Sequence, residues 1–224
     1  MSTDARRPVR PRRAPAGDGL FIVGIVGRAG SGKSTVAQAL AVDGAVVIEA
    51  DLVGHEVTDR DPEVRAALAS EYGPGVYGPD GRLDRERVAA RVFTDAAARA
   101  RLDRLVHPRL VARIGAKLDE LRARRFQGVV ALDAALLLEW GLERSCDAVI
   151  AVSAPVGEQV QRLAKLRGWT EEEARRRLRA QRTDQAFRAA ADVTLHNSRS
   201  AEELATAARA AVARLRAGAA EGKE

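Results

Sequence analysis

At 224 residues, 46% hydrophobic and 30% charged, the chain is long enough to bury a full core and too apolar to be a disordered polymer; it reads as one domain carrying insertions. No stretch approaches the roughly 18 uninterrupted apolar residues of a membrane span, and the N-terminus lacks the apolar core of a secretory signal, so membrane residence and export are not expected and the cytoplasm is. The single cysteine, Cys146, excludes an internal disulfide and reads as a buried thiol.

In chain order, residues 1–18 form a basic tail. Arg6, Arg7, Arg10, Arg12 and Arg13 stand against Asp4 and Asp18, which places half of the formal charge of +6 there. Its prolines and scarce apolar side chains predict disorder, and a solvated extension is preferred to a nucleic-acid arm. Five short apolar runs then follow: Leu20–Val26, Ala45–Glu49, Gly128–Asp133, Asp147–Val152 and Asp192–Leu195. Their near-continuous hydrophobicity and β-branched content predict buried parallel strands, and the helical spacing between them, at Ser34–Val42 and Ala201–Leu215 for example, predicts a doubly wound α/β sheet. Thr170 with Glu173 and Ser200 with Glu203 are capping boxes that mark helix starts. The segment 52–127, helical in pattern and broken by turn signals between Tyr72 and Gly81, reads as a helical insertion within a core of 19–51 and 128–216; residues 217–224 read as a flexible end.

One motif dominates. Gly27-Arg28-Ala29-Gly30-Ser31-Gly32-Lys33-Ser34 fits G-x-x-x-x-G-K-[ST] directly after a predicted strand and at the opening of a helix. Glycines there let successive amides turn toward phosphate oxygens, the helix N-terminus adds a favourable dipole, Lys33 reaches the β- and γ-phosphates, and Ser34 ligates Mg²⁺. Gly30, Ser31, Gly32, Lys33, Ser34 and Thr35 are therefore the expected nucleotide-binding residues, with ATP and Mg²⁺ as ligands. Asp51 follows the second strand and reads either as a base that accepts the proton of an attacking hydroxyl or as a helix cap. Asp133 ends the third strand and reads either as a second metal-binding group or as an ordinary strand-end aspartate. Arginines crowd residues 162–182 around Gly168, a pattern of two helices forming a lid over the nucleotide (about 158–182); for most of them a solvated face paired with Glu171, Glu172 and Glu173 is the alternative. His55 and His107 lack a second ligand at zinc spacing.

Taken in order, these landmarks resemble the dephospho-coenzyme A kinase family from about Phe21 to Leu215. The family's phosphate loop is similar to Ile25–Thr35, its Asp-Ala-Asp signature to Glu49-Ala50-Asp51, and its Asp-Gly-x-Leu-Asp-Arg turn to Asp80–Arg85, followed by Val92-Phe93. Its Leu-x-His-Pro element is similar to Leu105–Pro108, its Asp-x-Pro-Leu-Leu-x-Glu segment to Asp133–Glu139, its arginine-to-glutamine run to Arg177–Gln181, and its Ala-Asp to Ala191-Asp192 with Asn197 downstream. The resemblance implies a P-loop NTPase three-layer fold with a five-stranded parallel sheet, a helical acceptor-binding insertion and a helical lid. It implies transfer of the γ-phosphoryl group of ATP to the ribose 3′-hydroxyl of dephospho-coenzyme A, with Asp51 as base, Arg162 as lid arginine, and Arg85 and His107 at the acceptor site. A monomer or weak oligomer that binds neither nucleic acid nor membrane is expected.

Several positions depart from that pattern. Arg28 stands for a glycine, Glu49 for an aspartate, His55 for an arginine and Ala135 for a proline, while Leu166 holds the place of a second lid arginine, with Arg167 next to it. Lys33, Ser34, Asp51 and Arg162 are all kept, which predicts an active enzyme with altered acceptor affinity. The alternatives are a nucleoside or nucleotide kinase of the same fold and a non-catalytic P-loop nucleotide-binding protein.

Overall fold

A computed structural model describes residues 19–92 and 94–221. The basic tail (1–18), Phe93 and the last three positions lie outside the described residues. The chain divides into two compact units, one running up to Ile48 and again from Arg122 onward, the other Glu49–Leu121.

The first unit is built on a five-stranded parallel sheet of order β2-β3-β1-β4-β5, with β1 (Leu20–Val26), β2 (Val46–Glu49), β3 (Gly128–Asp133), β4 (Ala148–Ser153) and β5 (Val193–His196). All seven residues of β1 and all six of β4 are buried, as strands covered on both faces require. The bounds of β1 and β3 agree with the apolar runs and β2 begins one residue later than its run, whereas β4 and β5 both begin and end one residue later than theirs. Each of these two strands is preceded by an aspartate that pairs with its neighbour through the side chain. Asp147 donates its N–H to the Ile22 carbonyl (2.8 Å) and accepts from Ile22 N–H through Oδ2 (2.7 Å); Asp192 does the same with Val149 (2.8 and 2.7 Å). The carboxylate takes the place of a main-chain carbonyl, so the ladder extends one residue beyond the regular strand.

Apolar residues of β1, β4 and β5 join Val36 and Leu40 of α1 (Lys33–Val42) and Leu204, Ala208, Val212 and Leu215 of α9 (Ala201–Glu221) in one core cluster. Helix α9 runs on past Leu215, so residues 217–221 are helical where an irregular end was expected. Alanine gives up least on entering a helix, and Ala219 packs on the core cluster, which is enough to carry the helix onward. Both capping expectations hold for the amide side: Thr170 Oγ1 accepts from Glu173 N–H at 3.2 Å and Ser200 Oγ from Glu203 N–H at 3.1 Å. After β4 come α6 (Val156–Arg167), α7 (Glu171–Arg179) and α8 (Asp184–Ala190), with α6 ended by Gly168 in the left-handed conformation (φ 66°, ψ 16°) that closes helices cheaply.

The second unit holds α2 (Ala50–Arg60), α3 (Pro62–Tyr72), α4 (Arg85–Val92) and α5 (Ala96–Ala123, its last two residues counted with the first unit). It begins three residues before and ends six residues before the insertion drawn from the sequence. Asp61 caps α3, its Oδ1 accepting from Glu63 and Val64 N–H at 3.0 Å each, a cap worth about 1 kcal/mol. The turn between α3 and α4 is closed by an isolated antiparallel bridge between Tyr77 and Leu83. Val57, Val64, Leu68, Tyr72, Val76, Leu83 and Val88 form a separate small core. Pro108 lies within α5; having no N–H, it removes one rung of that helix's ladder.

Candidate active site

The glycine-rich segment leaves the carboxyl end of β1 and enters α1, whose N-cap is Gly32 (φ 107°, ψ 20°). Lys33 and Ser34 are the first two residues of the helix, and Ser34 is exposed. The curl between them and β1 is held from behind by groups of the later part of the chain. Asn197, just after β5, donates Nδ2 to the Ser31 carbonyl at 2.8 Å, and Arg162 of α6 donates Nη1 to the Gly30 carbonyl at 3.2 Å. Ser31 N–H turns back to the Arg28 carbonyl (3.2 Å). A Cβ added at Gly32 would stand 2.4 Å from Asn197 Nδ2, so this position must be glycine both for its dihedral and for its neighbour.

The first residues of the loop are tied to α7 and the residues after it. Arg28 donates Nη2 to the Leu178 carbonyl, and Ala29 N–H donates to Gln181 Oε1 at 2.9 Å. The arginine found where the family pattern has glycine thus connects the phosphate loop to the second of the two helices read as a lid. Gln159 of α6 is wholly buried; its Nε2 donates to the Ala154 carbonyl at 2.6 Å, and its own main-chain carbonyl would lie 2.8 Å from a Cβ at Gly30. Neither Gln159 nor the roles of Asn197 and Gln181 emerged from the sequence, because a single amide side chain in a helix or loop carries no local pattern.

Arg162 has three partners: Glu158 Oε2 at 2.6 Å, the Gly30 carbonyl, and the Asn197 carbonyl at 3.4 Å. Its guanidinium is held against the loop by one charge and two carbonyls. Other arginines of this region are paired on the helix surface: Arg175 with Glu171 (2.6 Å) and Arg177 with Glu173 (2.8 Å), the latter also 4.1 Å from the centre of the Trp169 ring. For these two the surface-face reading describes the geometry. Leu166 is 76% exposed and Arg167 is exposed beside it.

Asp133 ends β3 opposite Ile25 of β1, one residue before β1 itself ends, which sets it at the strand ends from which the phosphate loop springs. Among the described residues no three His, Cys, Asp or Glu side chains gather as a metal site. Mg²⁺ held on a nucleotide needs no such cluster, since it takes phosphate and water oxygens plus one or two protein oxygens, and Ser34 and Asp133 are of that hard-oxygen type.

In the second unit, Asp51 is exposed in the first turn of α2, while the cap position falls on Glu49. Helix capping is therefore not its role, although a carboxylate there gains from the helix dipole. Arg85 donates to Asp59 Oδ2 (2.9 Å) and Thr58 Oγ1 (3.3 Å), and Leu83 N–H donates to Asp59 Oδ1 (3.0 Å). Burial pushes the Asp59 carboxyl upward, but the Leu83 amide and the Arg85 guanidinium outweigh it and hold the group below its ordinary value. Arg85, Asp59, His55, Arg60 and Arg65 line a cavity of about 800 Å³ within this unit. His107, on α5, is not among the lining residues, so the structure does not bring His107 and Arg85 to one cavity. The place where arginine is usual is taken by His55, which does line it.

A strand, glycine loop and helix on a parallel sheet of this order, with a lysine and a serine opening the helix, define a P-loop phosphotransferase. A family model described as dephospho-CoA kinase matches residues 21–203. A dephospho-CoA kinase of Thermobifida fusca is 43% identical over 186 residues, 83% of this chain and 91% of the relative; one of Streptomyces avermitilis is 40% identical over 83% and 89%. A crystal structure of a Thermus thermophilus protein superposes with a TM-score of 0.74 at 35% identity, covering 88% of this chain and 98% of that one. The Campylobacter jejuni dephospho-CoA kinase, at 20% identity, shares the fold with a TM-score of 0.65 over 89% and 98%. The chain belongs to the dephospho-CoA kinase family, and its activity is the ATP-dependent phosphorylation of dephospho-CoA in coenzyme A biosynthesis.

Proposed function

We propose that the chain moves the γ-phosphoryl group of ATP onto the ribose 3′-hydroxyl of dephospho-coenzyme A through the residues singled out above. The observation that carries this reading is the phosphate loop itself, whose Gly30 and Ser31 carbonyls are drawn back by Arg162 and Asn197 in a chain of this family. A trans peptide whose carbonyl points one way sends the following N–H the other, so the Ser31 carbonyl tied to Asn197 turns Gly32 N–H toward phosphate, while Ser31 N–H closes the turn on the Arg28 carbonyl. Lys33 would neutralise the β- and γ-oxygens as charge spreads over them.

Asp51 takes the proton of the attacking hydroxyl, and Arg162 offers its fork to phosphate from a position already fixed by Glu158 and the loop carbonyls. Ser34 and Asp133 are the residues that would hold Mg²⁺, whose charge would offset that of the phosphate groups. Unit 49–121 receives the acceptor, with Arg85 and His107 as binding residues, and α6 with α7 serves as the lid. The working protein is a cytoplasmic monomer or weak oligomer that engages neither nucleic acid nor membrane.

The test is ATP turnover with dephospho-coenzyme A set against uridine, cytidine and nucleoside monophosphates. Selective turnover of dephospho-coenzyme A is expected, with Asp51→Asn lowering kcat at least a hundredfold while ATP binding persists. Turnover confined to the other acceptors would overthrow the acceptor assignment, and an unchanged kcat in the Asp51 variant would remove the base.

A further inference from the structure

We propose that Asn197 is a positioning residue of the nucleotide-phosphate cradle, acting through the direction it imposes on the Ser31–Gly32 peptide. The inference rests on the reading of residues 27–34 as the nucleotide site and extends it to a residue that reaches no ligand itself.

Asn197 is 7% exposed and held from two sides. Its N–H donates to the Ser153 carbonyl at 2.7 Å, which anchors it to the end of β4, and its carbonyl receives Arg162 Nη2. From that fixed backbone the carboxamide Nδ2 meets the Ser31 carbonyl at 2.8 Å in a buried bond. Ser31 itself is wholly buried. Peptide planarity then does the rest: with the Ser31 carbonyl turned to Asn197, the Gly32 N–H of the same peptide points away from Asn197, toward the side that a phosphate approaches.

Without the Nδ2 donor the Ser31 carbonyl would be a buried acceptor lacking this bond, and the Ser31–Gly32 peptide would gain by rotating toward another donor. Glycine at 32 offers little resistance to such rotation, since it tolerates both signs of φ. The same close approach that makes a Cβ at Gly32 impossible is what allows Asn197 to reach past it. Arg162 and Asn197 thus fix two successive carbonyls, Gly30 and Ser31, from one direction. Arg162 also carries the charge expected to meet phosphate, whereas Asn197 contributes orientation alone.

The experiment measures equilibrium binding of ADP and of AMP, without acceptor, to the wild-type chain and to Asn197→Ala and Asn197→Leu. Leucine keeps the side-chain volume and removes the donor without adding charge, so it carries the test if the alanine variant does not fold. ADP dissociation constants should rise about tenfold in both variants, while AMP, which lacks the β-phosphate that the turn receives, should change less than twofold. In turnover, the KM for ATP should rise with the acceptor KM unchanged. An ADP constant within twofold of wild type, or an equal loss for AMP and ADP, overturns the proposal; a lowered melting midpoint with intact ADP binding would assign Asn197 to stability alone. Wild-type chain that binds ADP but leaves dephospho-coenzyme A untouched would refute the acceptor reading and leave this inference standing.

Discussion

In the unit built on the sheet, phosphate recognition is assigned chiefly to main chain, whereas in unit 49–121 the candidate contacts are tips of long side chains. The phosphate loop is shaped by buried strands on one side and by Asn197, Arg162 and Gln181 on the other, so its amides are fixed before any ligand arrives. The cavity of the second unit is edged by Arg60, Arg65 and Arg85 among Glu56, Asp59 and Asp80, with Arg85 paired to Asp59, in a unit that holds a core cluster of seven buried residues. The difference teaches where tolerance lies. A rigid backbone site fails through a single lysine or glycine, while a side-chain site weakens by degrees.

The largest expected effect lies on the rigid side. Lys33→Ala should lower kcat about a thousandfold with the fold intact, measured as ATP turnover beside a melting curve. Retained activity would mean that main-chain amides alone suffice and would erase the contrast between the units.

A smaller effect belongs to the side-chain site. Arg85→Leu should raise the acceptor KM about tenfold and leave the ATP KM alone, because it removes a cation from the second unit's cavity and frees Asp59 from its ion pair. An ATP KM that moved in step would show that the two regions cannot be separated in this way.

The smallest effect is one of acidity. Asp59 is held below its ordinary value of 3.8 as set out above, and Glu56 below 4.5 because Lys117 and Arg113 outweigh the opposing pull of burial. Carboxyls lowered in the folded state bind protons more readily once unfolded. They therefore add stability above those ordinary values, and that stability is lost as pH falls through the lowered ones. Both tyrosines, Tyr72 and Tyr77, lie in the second unit and both tryptophans, Trp140 and Trp169, in the first, so the units can be followed separately. Acidification below about pH 4.5 should disturb the tyrosine near-ultraviolet dichroism, and a tyrosine signal flat down to pH 3 would remove these ion pairs from the account of the second unit's stability.

The strands were readable because each is a short, nearly continuous apolar run; β2 starts one residue after its run, and β4 and β5 are displaced by one residue at both ends, the aspartate before each imitating a main-chain carbonyl. Helix α9 ran past its expected end because an alanine-rich stretch has no marked stop. The second unit was legible as helical, and its turn at Tyr72–Gly81 as a turn. The pairing of Arg85 with Asp59 was not, since nothing in either residue's neighbourhood names the other.

By itself the amino-acid order determined the strands, the phosphate loop and the family, because each is written in neighbouring residues that act through local backbone geometry. Tertiary structure alone decided what holds that loop: Arg162 lies 132 residues from Gly30, and Asn197 lies 166 from Ser31. These contacts arise where parallel strands bring their carboxyl ends to one edge, and a linear pattern holds no record of which side chains will meet there.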